Sequence, residues 1–376
     1  MTLRLEADVA VVGSGFGGSL AALALRKRGR SVVLLERGRH PRFAIGESST
    51  PLANLLLEEL AEKYDLPRLR PLCKWGPWQR TYPRVACGKK RGFSFFAHGD
   101  SGRDDSRPLL VAASPHDEIA DTHWYRPDVD LFLPREAEEA GATYLDETHL
   151  EAARFDDDGC ALAGVRKGRS LEIRARFVID ASGPRGFLHR ALGLPEHRLQ
   201  WLPATQGLYS HFSDVVRFDD RFPVEDPPYP VDDAAVHHVF PGGWIWVLRF
   251  NNGITSAGVA ATDAVADELA LADGAPPRER LLARLPRVRE QFARARPVIP
   301  FVHSPRLAFR SAVVAGPGWA LLPSAAGVID PLLSTGFPLN LLGLHRLLTA
   351  LERVGAARDE ALLEYAKETT GELEVT

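Results

Sequence analysis

The sequence predicts an α/β fold, a parallel-stranded layer interrupted by an inserted antiparallel sheet. Three observations predict it. The chain opens on a strand, a glycine turn, a helix and a second strand. From about residue 200 to 262 it changes to alternating, aromatic-rich strands. Near 320 it returns to a short buried strand, a Gly- and Pro-punctuated loop and a helix over 338–353. The composition fits an ordinary globular chain: 376 residues, 45% hydrophobic and 25% charged. Lys plus Arg number 46 against 49 Asp plus Glu, so there is no basic footprint for nucleic acid or an anionic membrane. The apolar stretches are broken within about a dozen residues, too short to cross a bilayer. Arg4, Glu6 and Asp8 stand where a signal peptide needs apolar residues. Three cysteines (Cys73, Cys87, Cys160), odd in number and without CxxC spacing, imply neither a disulfide frame nor a zinc site, and a reducing cytoplasm is the default.

The elements follow in order. Asp8–Val12 is an apolar β run, closed by Gly13-Ser-Gly15-Phe16-Gly17-Gly18. Leu20–Leu25 is rich in helix formers and stops at Arg28-Gly29. Ser31–Glu36 is a second buried strand, with Arg37 leaving it, which completes a βαβ unit whose parallel strands need both faces covered. Thr50 reads as an N-cap and Pro51 as the first position of a helix to about Tyr64. Residues 67–125 are irregular, with a strand-like Gly92–Phe96. A helix is expected over Pro127–Ala140, then a hairpin between about 148 and 175 around the Asp156–Gly159 turn. Phe177–Ile179 is another buried strand, ending in Asp180-Ala-Ser-Gly183. The alternating strands of 200–262 give way to a helical stretch over 265–295, and a last helix is expected near Asp359–Thr370.

Gly13-x-Gly15-x-x-Gly18, set between strand and helix, is the dinucleotide fingerprint in its required context. Gly13 permits the tight turn, Gly15 lets the backbone approach a pyrophosphate, and Gly18 lets the helix pack closely. The helix N-terminus adds amides and a positive dipole. Glu36, at the end of the second strand, can accept hydrogen bonds from an adenosine ribose, and an acid there disfavours a 2′-phosphate. The parallel layer is therefore an FAD/NAD(P)-binding Rossmann-like domain; the fingerprint alone does not separate FAD from NAD.

Further segments bear on that choice. Phe177-Val-Ile-Asp180-Ala-Ser-Gly183 resembles the second flavin signature of the FAD-dependent oxidoreductase superfamily, which includes aromatic hydroxylases and flavin-dependent halogenases; taken alone, Asp180 reads equally as a loop-capping aspartate. Arg126-x-x-Val129-Asp130-x-x-Leu133 is similar to that superfamily's segment whose Arg reaches the cofactor. Pro323-Ser324-Ala-Ala-Gly327-Val-Ile-Asp330-Pro331-Leu-Leu-Ser334-Thr335-Gly336 resembles the halogenase form of the third signature. By that resemblance the backbone near Ser334, Thr335 and Gly336 opens a helix, faces the flavin and holds a halide. Gly46-Glu47-Ser48 resembles the halogenase segment that closes over the flavin, and also serves as the approach to the Thr50 cap. Lys90-Arg-Gly92-Phe-Ser-Phe95 looks like the segment around the halogenases' active-site lysine; as part of Lys89-Lys90-Arg91 it also reads as a solvated basic run. Gly243-Trp244-Ile-Trp246-Val-Leu248-Arg249 resembles the halogenase Trp-x-Trp-x-Ile-Pro motif, although two tryptophans at a period of two also describe an aromatic face packed in a sheet core. Asp121-x-His123 and the pair His237-His238 lack a third ligand at metal spacing and read as structural.

The resemblance implies an FAD-dependent oxidoreductase of the halogenase-like kind. It uses reduced FAD, supplied by a partner flavin reductase, and oxygen to oxidise chloride or bromide for transfer to an aromatic or polyene metabolite, free or carrier-tethered. FAD would be held by Gly13, Gly15, Phe16, Gly17, Gly18, Glu36, Arg37, Glu47, Ser48, Arg126, Asp180, Gly183, Ser324, Asp330 and Gly336. Lys90, Trp244 and Trp246 would form the catalytic wall. The domains would divide as 1–66, 100–195 and 300–355 for FAD, 67–99 and 196–299 for a substrate-covering sheet, and 356–376 for a short C-terminal helix. Three departures keep rivals open: Ser324 stands for an Asp, Leu248-Arg249 stands for Ile-Pro, and the chain ends forty residues after Gly336, without the helical region that shapes the family's substrate pocket. The rivals are a monooxygenase or dehydrogenase/reductase on the same scaffold, and a non-catalytic flavin-binding protein. Ser324 supplies no charge, and losing a charge-assisted bond costs on the order of 1.5–3 kcal/mol, which weakens FAD binding without abolishing it.

Overall fold

The computed structural model describes residues 2–99 and 108–375; residues 100–107, the start of the 100–195 segment, lie outside them. Two large sheets dominate the described residues. The first runs Ala315–Gly316, Trp319–Leu321, Arg169–Asp180, Leu3–Val12, Val32–Leu35, Thr143–Leu145, with the hairpin strands Thr148–Asp156 and Gly159–Arg166 off that path. From Trp319–Leu321 to Thr143–Leu145 every pairing is parallel. Val12 lies opposite both Leu35 and Asp180, and Asp180 lies opposite Leu321, so the carboxyl ends of the strands meet along one edge. Ligands of open α/β sheets bind outside that edge. The first strand starts at Leu3 rather than Asp8, because its half-exposed beginning pairs with Leu171–Arg174.

The helix Phe16–Lys27 buries Phe16–Leu25, as expected of an element sealed between the sheet and other helices, and places Arg26 and Lys27 at its negative end. Thr50 caps Pro51–Lys63, its hydroxyl accepting from the Ala53 amide at 3.3 Å. The final helix, Ala356–Val375, is longer than its sequence suggested. It packs along Gly336–Leu351, where Arg346 pairs with Glu368 and Glu372 at 2.6 Å each, and the buried Tyr365 hydroxyl donates to the Leu321 carbonyl.

The second sheet runs Arg296–Pro297, Thr205–Ser213, Thr255–Thr262, Gly243–Arg249, Ala235–Phe240, Gly92–Ala97, Leu109–Ala112, with Val302–Ser304 also on Thr205–Ser213. It is antiparallel except where Gly92–Ala97 meets Ala235–Phe240. Leu109–Ala112 and Val302–Ser304 come from stretches expected with the parallel layer; their backbone pairing carries them here. The alternation places the faces. Ile245, Val247 and Val259 pack against Leu269, Leu281, Val288 and Phe292 of the helices that cover one side. Trp244, Trp246 and Leu248 turn to the other side with Phe93, Tyr209 and Leu332. Among the described residues no helix is long and apolar enough to cross a membrane.

Candidate functional site

The glycine turn is shaped by close approach. Gly13 has φ +101°, and a Cβ there would lie 2.5 Å from the Ala181 carbonyl oxygen; one on Gly18 would lie 1.9 Å from the Gly13 oxygen. Gly17 abuts Asn340, whose Nδ2 would sit 2.7 Å from an added Cβ, so this helix start presses on Gly336–Leu351. Gly15 differs. It faces the guanidinium ends of Arg126 and Arg42, 3.3 and 3.8 Å from where its Cβ would be. Arg126 is fixed, donating to Asp130 at 2.8 and 2.7 Å and to the Ile45 and Gly46 carbonyls at 3.0 and 2.9 Å. Arg42 is looser, 3.4 Å from Glu36 and 3.9 Å from Asp130, with a buried Nε that has no partner. A helix N-terminus flanked by two guanidinium groups, one with an unused donor, suits a diphosphate.

Glu36 is buried at the end of its strand. One oxygen accepts from the Ser14 amide and hydroxyl at 3.3 and 3.0 Å, the other from the Gly38 amide at 2.8 Å. Burial would raise its pKa; Arg42, the Gly38 amide and Ser14 outweigh this and hold it below the usual carboxylate value. Arg37, expected at the cofactor, is exposed beyond the strand end, and Arg42 takes the place beside Glu36. Asp180 takes the loop-capping role, one of the two readings its sequence left open. Its carboxylate accepts from the Ser182 amide and hydroxyl at 2.8 and 2.5 Å and from the Leu188 amide at 2.6 Å, so it caps its own loop and the helix Phe187–Ala191. Gly183, φ +84°, looks onto open space.

The segment 46–49 is strapped across the structure. The Glu47 carbonyl accepts from the Trp124 amide at 2.6 Å, and Ser49 exchanges bonds with Thr122. Glu47 reaches the second sheet, its Oε1 lying 2.6 Å from Nε2 of His211, both fully buried and flanked by Phe43 and Phe250. Ser48 accepts from Lys90 Nζ at 2.8 Å, and the Ser49 carbonyl does so at 2.6 Å. Strand alternation explains why Lys90 enters the protein while its neighbours do not. Lys89 pairs with Asp117 and Asp233 at 2.6 and 3.0 Å, and Arg91 with Asp117 at 2.7 Å, whereas Lys90 is 0% exposed. Burial pulls its pKa down to about 7, against an opposing pull from Asp121.

Lys90 Nζ stands 4.0 Å from the centre of the Phe93 ring, and aromatic contacts continue along the sheet face. His237 stacks on Phe95 at 4.8 Å and meets Trp244 at 5.3 Å, Trp244 meets Trp246 at 5.7 Å, and Trp246 meets Tyr209 at 6.2 Å. The facing loop packs Leu332 against these tryptophans. Arg249, in the departure from Ile-Pro, points away and binds Asp232 at 2.7 Å.

The loop ends at the start of Gly336–Leu351. Ser334 is left-handed, φ +58°, and Thr335 occupies the cap position with no side-chain cap bond. The first-turn amides lack acceptors within the helix, Pro338 has no N–H, and Gly336 faces open space. Asp330 spends its Oδ1 on the Leu332 amide at 2.8 Å and so shapes the loop. Ser324 is half-buried in the short helix Pro323–Ala326. Phe16 and Phe337 stack at 4.5 Å and 8°, joining the two helix N-termini, with Trp124 edge-on to both. Sequence reasoning missed Arg42, His211, Phe93 and Tyr209. Arg42 had a signal in its charge six residues after Glu36, but the others depend on strand pairing.

Two family descriptions match the chain: an NAD(P)-binding Rossmann-like domain over residues 11–51 and tryptophan halogenase over residues 122–376. The chain is 31% identical over 360 residues to the monodechloroaminopyrrolnitrin halogenase PrnC of Pseudomonas fluorescens, covering 94% of this chain and 62% of that one. It is 32% identical over 341 residues to the tetracycline 7-halogenase of Kitasatospora aureofaciens, covering 88% of this chain and 60% of that one. The chain thus spans about three fifths of the length of these relatives. Among solved structures, the halogenase PltM in complex with phloroglucinol and FAD superposes with a TM-score of 0.81 at 29% identity, covering 98% of this chain and 73% of that one.

Proposed function

Because the chain belongs to the tryptophan halogenase family, we propose that it is a flavin-dependent halogenase acting on an electron-rich aromatic metabolite. The observation that carries this reading is the opening at Thr335–Gly336, a helix N-terminus facing free space and tied by the Phe16–Phe337 stack to the glycine turn.

The residues fit FAD. The Gly15 cradle with Arg126 and Arg42 takes the diphosphate, Glu36 with its ordered carboxylate takes the ribose, and Gly183, Ser324 and Gly336 border the path of the ring. When bound, reduced FAD would pass two electrons to oxygen, and oxygen so brought to the peroxide level would take two electrons from the halide. The chain's own part is separate. The amides at Ser334–Gly336 hold chloride or bromide by partial positive charge. Glu47 and Ser48 close the strap and exclude water. Lys90 holds or releases a proton at Nζ and binds the oxidised halogen, and Trp244, Trp246 and Phe93 orient the substrate ring. Asp180 and Asp330 keep the flanking loops in shape. A flavin reductase supplies the reduced cofactor. The substrate is free or carrier-tethered, and the relatives include halogenases of a pyrrole-2-carbonyl group on a peptidyl carrier protein. The three cysteines, all free and buried, suit a reducing cytoplasm.

The test supplies reduced FAD, oxygen, bromide and a reactive phenol and reads the product by mass spectrometry. A brominated product is expected. A hydroxylated product without bromine would overturn the halogenase reading in favour of a monooxygenase, and undiminished bromination by Lys90→Ala would remove that residue from the chemistry.

A further inference from the structure

The buried amine of Lys90 has a counter-charge that the roles above leave unused. Lys90 lies directly opposite Asp121 in the pairing of Cys87–Lys90 with Asp121–Trp124, and residues so paired on antiparallel strands project to the same face. Two donors of Lys90 go to neutral oxygens, those of Ser48 and Ser49. Asp121 is 2% exposed; its Oδ1 accepts from Asn54 Nδ2 at 2.6 Å, while its Oδ2 is buried with no hydrogen-bond partner. A buried ammonium and a buried carboxylate are each unfavourable alone, and on facing strands each charge lowers the cost of the other.

We propose that Asp121, held by Asn54, is the positioning residue that sets the charge on Lys90, its carboxylate favouring the ammonium from directly across the paired strands. Burial moves the two groups toward one another, lowering Lys90 and raising Asp121, with each charge opposing the shift of the other. The remaining titratable neighbours do not take this part. His123, on the strand of Asp121, and His237, on Ala235–Phe240, are driven down to about 3 by burial first and by the charge of Lys90 second. Lys74 acts on Asp121 only through its charge, in the same sense as Lys90. The proposal rests on Lys90 being the reacting amine of the proposed function, but its test does not need turnover.

The chain has seven lysines, so 15N-lysine labelling gives few side-chain signals to follow against pH in the FAD-free protein. One signal, absent from Lys90→Met, is expected to titrate near neutrality. Removing the opposite charge makes the ammonium less favourable, so in Asp121→Asn the midpoint falls by about one pH unit or more, a tenfold loss of proton affinity. Asn54→Ala removes the donor that keeps Asp121 ionised and shifts the signal the same way by less, which keeps the test available should Asp121→Asn fail to fold. The limb of the bromination pH profile set by Lys90 moves with the signal. An unchanged midpoint in both variants, or an upward shift in either, overturns the proposal. If the midpoint moves as stated but the native protein brominates nothing, the proposed function fails and the charge assignment stands.

Discussion

Replacing Gly15 and Gly18 by alanine, one at a time, separates the two jobs of the glycine turn. A Cβ on Gly18 would lie 1.9 Å from the Gly13 oxygen and 3.0 Å from the Ala181 Cβ, and both belong to backbone or short side chains held in the sheet edge. The helix must therefore back away by more than an ångström, an overpacking strain of about 1–3 kcal/mol. A Cβ on Gly15 would meet only the ends of side chains, Arg126 Nη2 at 3.3 Å and Arg42 Nη2 at 3.8 Å, which need give by a few tenths of an ångström, and Gly15 has an extended φ of −65°, open to any residue. Stability should then change by less than about 1 kcal/mol. The methyl would stand in the diphosphate cradle, however, and loss of one charge-assisted phosphate contact is worth about 1.5–3 kcal/mol, or roughly 10- to 100-fold in Kd. Urea unfolding and fluorescence-quenching titration with FAD read the two quantities. Gly18→Ala is expected to lose stability, and Gly15→Ala to lose FAD affinity while staying as stable as the parent. A stable Gly15→Ala protein that binds FAD with unchanged affinity would refute the placement of the diphosphate.

Three further outcomes follow from contacts elsewhere. His211→Ala leaves the buried Glu47 carboxyl without its 2.6 Å partner and should cost about 1–3 kcal/mol in urea unfolding, whereas the double change to leucines should cost much less, since both polar partners go together. Tyr365→Phe strands the buried Leu321 carbonyl and should cost about 1–3 kcal/mol, visible as a lower Tm. Acid should destabilise the fold early. His123, His237 and His238 are held neutral by burial, each down to about 3 from the model-peptide 6.5. Below pH 6.5 the unfolded chain gains protons that the folded chain refuses, so stability is lost as pH falls from about 6.5 toward 3. By pH 5 each histidine can contribute up to about 2 kcal/mol of that loss, and a urea midpoint flat between pH 7 and 5 would contradict the assignment.

The parts of the site that the sequence made legible are those fixed by local backbone geometry. Gly13, Gly15 and Gly18 sit at spacings that one strand–turn–helix imposes, and Glu36 is carried to the same edge by the next parallel strand. Thr50-Pro51 likewise announces its helix from two adjacent residues. What stayed hidden depends on residues far apart in the chain. Lys90 could be read as solvated or buried until its strand met Asp121–Trp124, which turned Lys89 outward to Asp117 and Asp233 and left Lys90 inside. His211 carried no local pattern; its role exists only because the 46–49 strap reaches across to Thr205–Ser213. Asp180 could be read two ways because a signature spacing does not say where a carboxylate points, and here it points to Ser182 and Leu188. Arg37 and Arg42 differ by five positions in a loop, and only the turn between them decides which returns to Glu36.

Soaking crystals with FAD and bromide and collecting anomalous diffraction at the bromine edge would most directly expose where redox and halide chemistry meet. The expected map shows the cofactor's diphosphate over Gly15, its ring system next to Gly336, and a bromide peak at the Ser334–Gly336 amides on the side of Trp246. A cofactor lying elsewhere, or bromide absent from that helix start at saturating concentration, would contradict the assignment of this opening as the seat of halide oxidation.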